Sequence, residues 1–267
     1  MSRTTQSPDS PRRATPPPSG AGAHRPARRR RAALALAATV LVGAAAAGCT
    51  DGTGAGSSSA PTATTPPAGE DAVPALADQP SGVPLGAGRY VVRPFDAVLP
   101  LPADPVLEVP AGYLPLDGAG IRDDGDGDPR ALTFWDVRAV YTHPCAADGY
   151  PEDVGASVAD LAAALAAQPL REATAPVAVT VGGYDGLYLE LGTPADLDLA
   201  TCRDGYFHTW PGRSDRVPGA TDLVWVLDVE GRRLTVDLSL PPSATAEQVE
   251  ALRAVAAATT FVRRDGS

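Results

Sequence analysis

Apolar and polar positions alternate most regularly toward the end of the chain. Between residues 233 and 240, Leu234, Val236, Leu238 and Leu240 share one face, and Thr235, Asp237 and Ser239 share the other. That period of two predicts a strand with one buried face and one wet or helix-poor face. Leu223–Val229 precedes it across Glu230-Gly231, which predicts a hairpin. A second hairpin is predicted where Ala175–Val181 and Leu187–Leu191 flank Gly182-Gly183-Tyr184-Asp185-Gly186, with Tyr184 at its tip. Further strands are predicted over Arg89–Pro94, Val106–Val109 and, as one run through Trp135, Val137 and Val140, Leu132–Tyr141.

Two stretches carry the helical period instead. Val158, Leu161 and Leu165 form a stripe over Ser157–Gln168, and Val249, Leu252, Val255 and Ala256 form one over Ala246–Ala258. Ser157 with Asp160, and Thr245 with Gln248, stand at capping-box spacing. Pro169 stops the first helix. The order is strands, helix, two hairpins, helix, which is α+β with a mainly antiparallel sheet.

The first third of the chain has a different character. A basic block, Arg28–Arg31, precedes 17 uncharged residues from Ala32 to Gly48, and then Cys49. This is the layout of an export signal. Ala46-Ala47-Gly48-Cys49 resembles the lipobox of bacterial lipoproteins, which implies cleavage before Cys49 and its acylation. Residues 1–48 are then a lipoprotein signal peptide, with an uncleaved signal-anchor helix as the alternative. Both readings put the chain on the outer face of the cell membrane. Residues 49–86, rich in Gly, Ser, Thr and Pro, read as a flexible tether. Residues 87–264 are long enough for one core of their own.

Charge narrows the function classes. Residues 1–48 hold 8 Arg against one acid, whereas the chain from Cys49 on holds 14 Arg against 31 Asp and Glu. An exported part this acidic repels phosphate backbones, so nucleic acid is not an expected partner. There is no Lys, which removes lysine nucleophiles and phosphate-loop lysines. No Gly-x-Ser-x-Gly elbow is present either. No catalytic residue and no cofactor are therefore expected.

With Cys49 acylated, Cys145 and Cys202 remain, and two cysteines in an exported domain predict one disulfide. The competing arrangement is a zinc set with His143 and His208. Asp124, Asp126 and Asp128 alternate as at the start of a calcium loop, although Pro129 and Trp135 stand where that loop needs Gly and Glu. The candidate binding loop is Arg203, Asp204, Tyr206, Phe207, His208 and Trp210, where rings mix with charged groups that could stack on a sugar or peptide; the alternative is that Tyr206, Phe207 or Trp210 plugs one edge of the sheet and the rest is surface.

A strand ending in Val109-Pro110-Ala111-Gly112-Tyr113, then Trp135, a helix, two hairpins and a helix closing on Phe261-Val262 resembles the actinobacterial cell-envelope lipoproteins of unassigned function. The element order is similar to the Mog1/PsbP-like fold. That resemblance implies a binding or accessory role at the envelope, with an envelope protein or cell-wall glycan as partner. The alternatives are an envelope hydrolase built on His208 and nearby carboxylates such as Asp204, and a purely structural surface domain.

Overall fold

The computed structural model describes residues 73–125 and 127–264. Their strands, in chain order, are β1 (Gly88–Val91), β2 (Ala103–Val109), β3 (Leu114–Leu116), β4 (Gly120–Asp123), β5 (Arg130–Trp135), β6 (Ala139–Tyr141) and β7 (Pro151–Asp153). Helix α1 (Val158–Ala166) follows, then β8 (Glu172–Ala173), β9 (Val177–Val181), β10 (Tyr184–Gly192), β11 (Phe207–Trp210), β12 (Arg213–Asp215), β13 (Thr221–Val229) and β14 (Arg232–Leu240). Helix α2 (Ala246–Ala257) and β15 (Thr260–Arg263) close the chain.

The large sheet runs β3-β4-β5-β14-β13-β10-β8, with β9 also on β10. Its neighbours are all antiparallel. A smaller sheet, β1-β2-β15, and the ribbons β6-β7 and β11-β12 complete the α+β fold.

Local chemistry explains the helix starts. The Ser157 hydroxyl accepts from the Asp160 backbone N–H at 3.1 Å, and the Asp160 carboxylate accepts from the Ser157 N–H. Thr245 and Gln248 repeat the exchange at α2. Each cap is worth about 1 kcal/mol. Two hairpins use two-residue turns with both residues at positive φ, Gly182-Gly183 and Glu230-Gly231, which suits the strand twist. Tyr184 is therefore not a hairpin tip, as the glycine spacing suggests. It is the first residue of β10, opposite Val181, with its ring edge-on to Phe261.

The large sheet has two covered faces. On one, Leu223, Trp225, Leu227, Leu234, Val236 and Leu238 meet the smaller sheet and the Leu252–Val255–Ala256 stripe of α2. On the other, Leu189, Leu191, Val224 and Val226 meet Leu161, Ala162 and Leu165 of α1. The face expected to be wet is thus buried: Thr235 and Asp237 are both 0% exposed. α1 covers one end of this face and the β11–β12 ribbon the other.

Two more expectations change. The strand predicted over 132–141 breaks at Asp136-Val137-Arg138, whose backbone groups bond elsewhere: the Asp136 N–H to Phe95 O, Val137 O to Arg233, and Arg138 O to the Val154 N–H. Residues 73–86, expected to belong to the tether, are packed instead: Leu76 and Leu85 are core residues and Pro74 O accepts from the Val91 N–H. Cys49, the export signal and Asp126 lie outside the described residues. Among the described residues no helix is long and apolar enough to cross a membrane.

Candidate functional site

Cys145 and Cys202 are joined as a disulfide. It ties the segment between β6 and β7 to the start of the predicted binding loop. The pairing is repeated by backbone bonds from Arg203 N–H to Cys145 O and from His208 N–H to Pro144 O. The zinc set with His143 and His208 is thereby excluded, since both thiols are spent.

The loop divides into an inner and an outer half. Phe207 is fully buried, packed by Leu199 and Cys202 and covered by the Arg171 guanidinium 4.5 Å from its ring. It is a plug, not a ligand contact. Trp210 is also buried, 1% exposed, but it lines a cavity. Arg203, Tyr206 and His208 stay half-exposed and Asp204 exposed. With Tyr141 they form a ridge: Arg203 lies over Tyr141, Tyr141 beside His208 at 5.1 Å, and Tyr206 between His208 and Arg216. A His208 ring nitrogen meets the Arg203 carbonyl at 3.3 Å, and Asp204 pairs with Arg203. Among the described residues the partner of the His208 ring is thus a carbonyl, and Asp204 is taken by an arginine.

The two described acids of the Asp-rich turn each have a partner of their own. Asp124 pairs with Arg122 at 2.6 Å, and Asp128 accepts from Ser243 at 2.9 Å. Among the described residues no group of three or more His, Cys, Asp or Glu is placed to hold a metal.

The concave site lies where the predicted strand breaks. A cavity of 320 Å³ is lined by Trp135, Trp210, Val98, Val137 and Pro211, with Asp96, Asp136 and Arg138 as its charged groups. Phe95 lies tilted against Trp135, and Trp210 meets Trp135 edge-on, with centroids 4.6 and 5.8 Å apart. The Trp135 indole N–H donates to Thr133 at 2.8 Å, whereas that of Trp210 has no acceptor. Asp136 and Arg138 also line a second cavity of 520 Å³, with Leu99, Asp153, Arg232 and Arg233. Ala156, Gly231 and Arg233 are shared in turn with a third of 620 Å³, bounded by Ser157, Asp185, Leu187 and Asp228. The three form one groove, aromatic at one end and charged along the middle.

Beneath the β11–β12 ribbon lies a cluster that sequence reasoning missed. Arg213 reaches down to Asp215 and Asp237, each at 2.9 Å, and bonds to Asp222 and to the Ser239 hydroxyl. Arg171 pairs with Asp215 at 2.9 Å and lies 3.8 Å from Asp222. Thr193 donates to Asp215 as well. All three carboxylates are buried. When every group is ionised, two guanidiniums face three carboxylates. Burial, reinforced by Asp215 and Asp237, outweighs Arg213 and pushes Asp222 well above the ordinary carboxylate range. Burial raises Asp237 too, against the pull of Arg213. For Asp215, burial acts upward, but Arg213, Arg171 and Thr193 together outweigh it and hold the carboxyl low. Burial likewise opposes the charge on Arg213, yet its three acids lift it well above the usual arginine value. The set works as a polar clamp that fixes the ribbon, and with it Trp210, to the sheet. The clue in the sequence is an acid inside each of two paired apolar strands, Asp222 in β13 and Asp237 in β14.

No family model matches the chain, and no curated protein matches it. A solved structure with some likeness is that of LpqN, involved in cell envelope biogenesis of Mycobacterium tuberculosis. It is 16% identical, with a TM-score of 0.29, over 67% of this chain and 90% of that one. A likeness this loose carries no argument for this chain.

Proposed function

We propose that this chain is an extracytoplasmic lipoprotein, acylated at Cys49, whose α+β domain is a binding or accessory module at the cell envelope. The groove is where it engages its partner, and a cell-wall glycan is the partner that suits it. One observation carries this reading: a cavity walled by Trp135, Trp210, Val98 and Pro211 shares Asp136 and Arg138 with a polar cavity beside it. Flat rings beside charged groups favour a sugar ring, which presents an apolar face and hydroxyl edges.

Val98 gives a clean test, because it walls the cavity yet is 67% exposed, so Val98→Asp leaves the core intact. Cell-wall oligosaccharides released by lysozyme should change the tryptophan emission of the full chain in detergent. The Val98→Asp variant should lose at least about tenfold in affinity, as one desolvated contact does. Unchanged emission, or equal binding by the variant, would overturn the reading. The intact mass of protein extracted from its native membrane tests the anchor: a start at Cys49 with added acyl mass is expected, and an unprocessed leader would refute it.

A further inference from the structure

We propose that the outer edge of β9 is an interface for a second copy of this chain, which pairs with it as an antiparallel strand across a two-fold axis at Val179. The two large sheets then run on into one another. The pairing does not depend on what the groove binds.

Among the described residues β9 has β10 as its strand partner on one side and none on the other. Its register closes on the two-residue turn at Val181 and Tyr184, so Val181, Val179 and Val177 turn their backbone groups inward to β10. The N–H and C=O groups of Ala178 and Thr180 therefore point outward. Both residues are exposed, and among the described residues no further backbone hydrogen bond reaches them. Such an edge is a template for another strand.

Other edges carry a guard: Pro115 in β3, Arg89 in β1 and Arg263 in β15. β9 reads Val-Ala-Val-Thr-Val and carries none. No charged residue stands between Glu172 and Asp185, although the chain from Cys49 on holds 31 acids against 14 Arg. Two copies of so acidic a domain repel over most of their surface, and least where both are neutral. A charged partner finds nothing to pair with at this edge, which favours the second copy. Asp185 is bonded to the Thr180 hydroxyl at 2.7 Å and stands one strand in from the edge. Three strand spacings, about 14 Å, separate it from its counterpart across the axis, more than the screening length of about 8 Å.

The edge is also self-complementary. With Val179 facing its own copy, Ala178 opposes Thr180, so all of their outward backbone groups find partners. Val177, 54% exposed, then lies against Val181 of the second copy. Cross-strand pairs of β-branched residues suit a sheet. Each copy offers one β9, so the assembly closes at two. The axis stands perpendicular to the sheet and keeps both α1 faces on one side. Gly186 and Leu187, which line the α1 end of the groove, oppose Val179 and Ala178, so the two grooves meet at the axis. A repeating polymer that reaches both is held at two points.

The test is made on the full chain in detergent. A non-hydrogen-bonded pair sets its Cα atoms about 4.5 Å apart, within disulfide reach, so Val179→Cys should form a covalent dimer on mild oxidation. Ala178→Cys should stay mostly monomeric, since its counterpart lies diagonally, about 7–8 Å away. Wild type under the same oxidation sets the background from Cys49. Without cross-linking, sedimentation equilibrium in density-matched detergent should show a reversible dimer. Ala178→Pro removes an outward donor, and Ala178→Lys adds the missing guard; each should raise the dimer dissociation constant at least about tenfold. Neither breaks a bond to β10, so both are expected to fold, which circular dichroism checks. A wild type that sediments as a monomer, equal bridging by the two cysteine variants, or growth beyond two copies would overturn the proposal.

Discussion

Arg213→Met removes the cation on which three buried acids depend. The methionine fills the volume of the arginine stem but leaves Asp215, Asp222 and Asp237 with Arg171 alone. Breaking a buried ion pair from one side costs about 3–5 kcal/mol, because the partner charge stays desolvated. Against a total stability on the order of 5–15 kcal/mol, that is a large share. For a domain of this size it lowers the melting temperature by roughly 6–20 °C. The remaining carboxylates can take up protons, so the loss should shrink at pH 4.5 and grow at pH 8. Neutralising the acids too should repair most of it: Arg213→Met with Asp222→Asn and Asp237→Asn should recover more than half of the lost stability, since neutral groups carry no such penalty. Urea unfolding followed by circular dichroism measures all of these. A cost below about 1 kcal/mol for Arg213→Met, or no recovery in the triple variant, would refute the clamp, because it would place the cluster in solvent-like surroundings.

Other outcomes follow from the same coordinates. Asp222 has a raised carboxyl in the folded state, so the stability it contributes is fully present below the ordinary carboxylate range and is lost as pH rises through its folded value. Asp222→Asn should therefore look progressively better relative to wild type from about pH 4 upward, by up to about 1.4 kcal/mol per pH unit; a pH-independent difference in urea midpoint would count against this. Asp215 is held low, so its contribution is present above the ordinary range and lost as pH falls through its folded value; Asp215→Asn should cost most at neutral pH and least in acid. Replacing both Cys145 and Cys202 with Ser should lower stability by about 4 kcal/mol in the chain-entropy model, read as a drop in melting temperature. Gly212 has φ +84° and an added Cβ would lie 3.1 Å from the Trp135 ring, so Gly212→Ala should shift the Trp135 indole resonance while leaving that of Trp225 in place.

Local features of the fold were legible because their causes are local. Both capping boxes and the Glu230-Gly231 turn are set by residues a few positions apart, whereas the other hairpin turns at Gly182-Gly183, ahead of the expected tip at Tyr184. The disulfide followed from counting cysteines in a chain whose sequence predicts export. The misreadings share one physical origin, partners distant in sequence. Asp237 sits on the polar side of an alternating strand, and only Arg213, arriving from another ribbon, makes its burial tolerable. The break at Asp136-Val137-Arg138 is supported by Phe95, Val154 and Arg233. Phe207 reads equally as a binding ring or as a plug, because nothing nearby in the chain says that Arg171 and Leu199 will cover it. The groove could not be read at all, since Val98, Trp135, Trp210 and Arg232 come from four separate segments.

The most direct test of the account is to record the three indole N–H resonances of the full chain while a lysozyme digest of actinobacterial cell wall is titrated in. The account predicts that Trp135 and Trp210 shift in a saturable way and that Trp225 does not. Three unmoved resonances, or a shift of Trp225 alone, would contradict it.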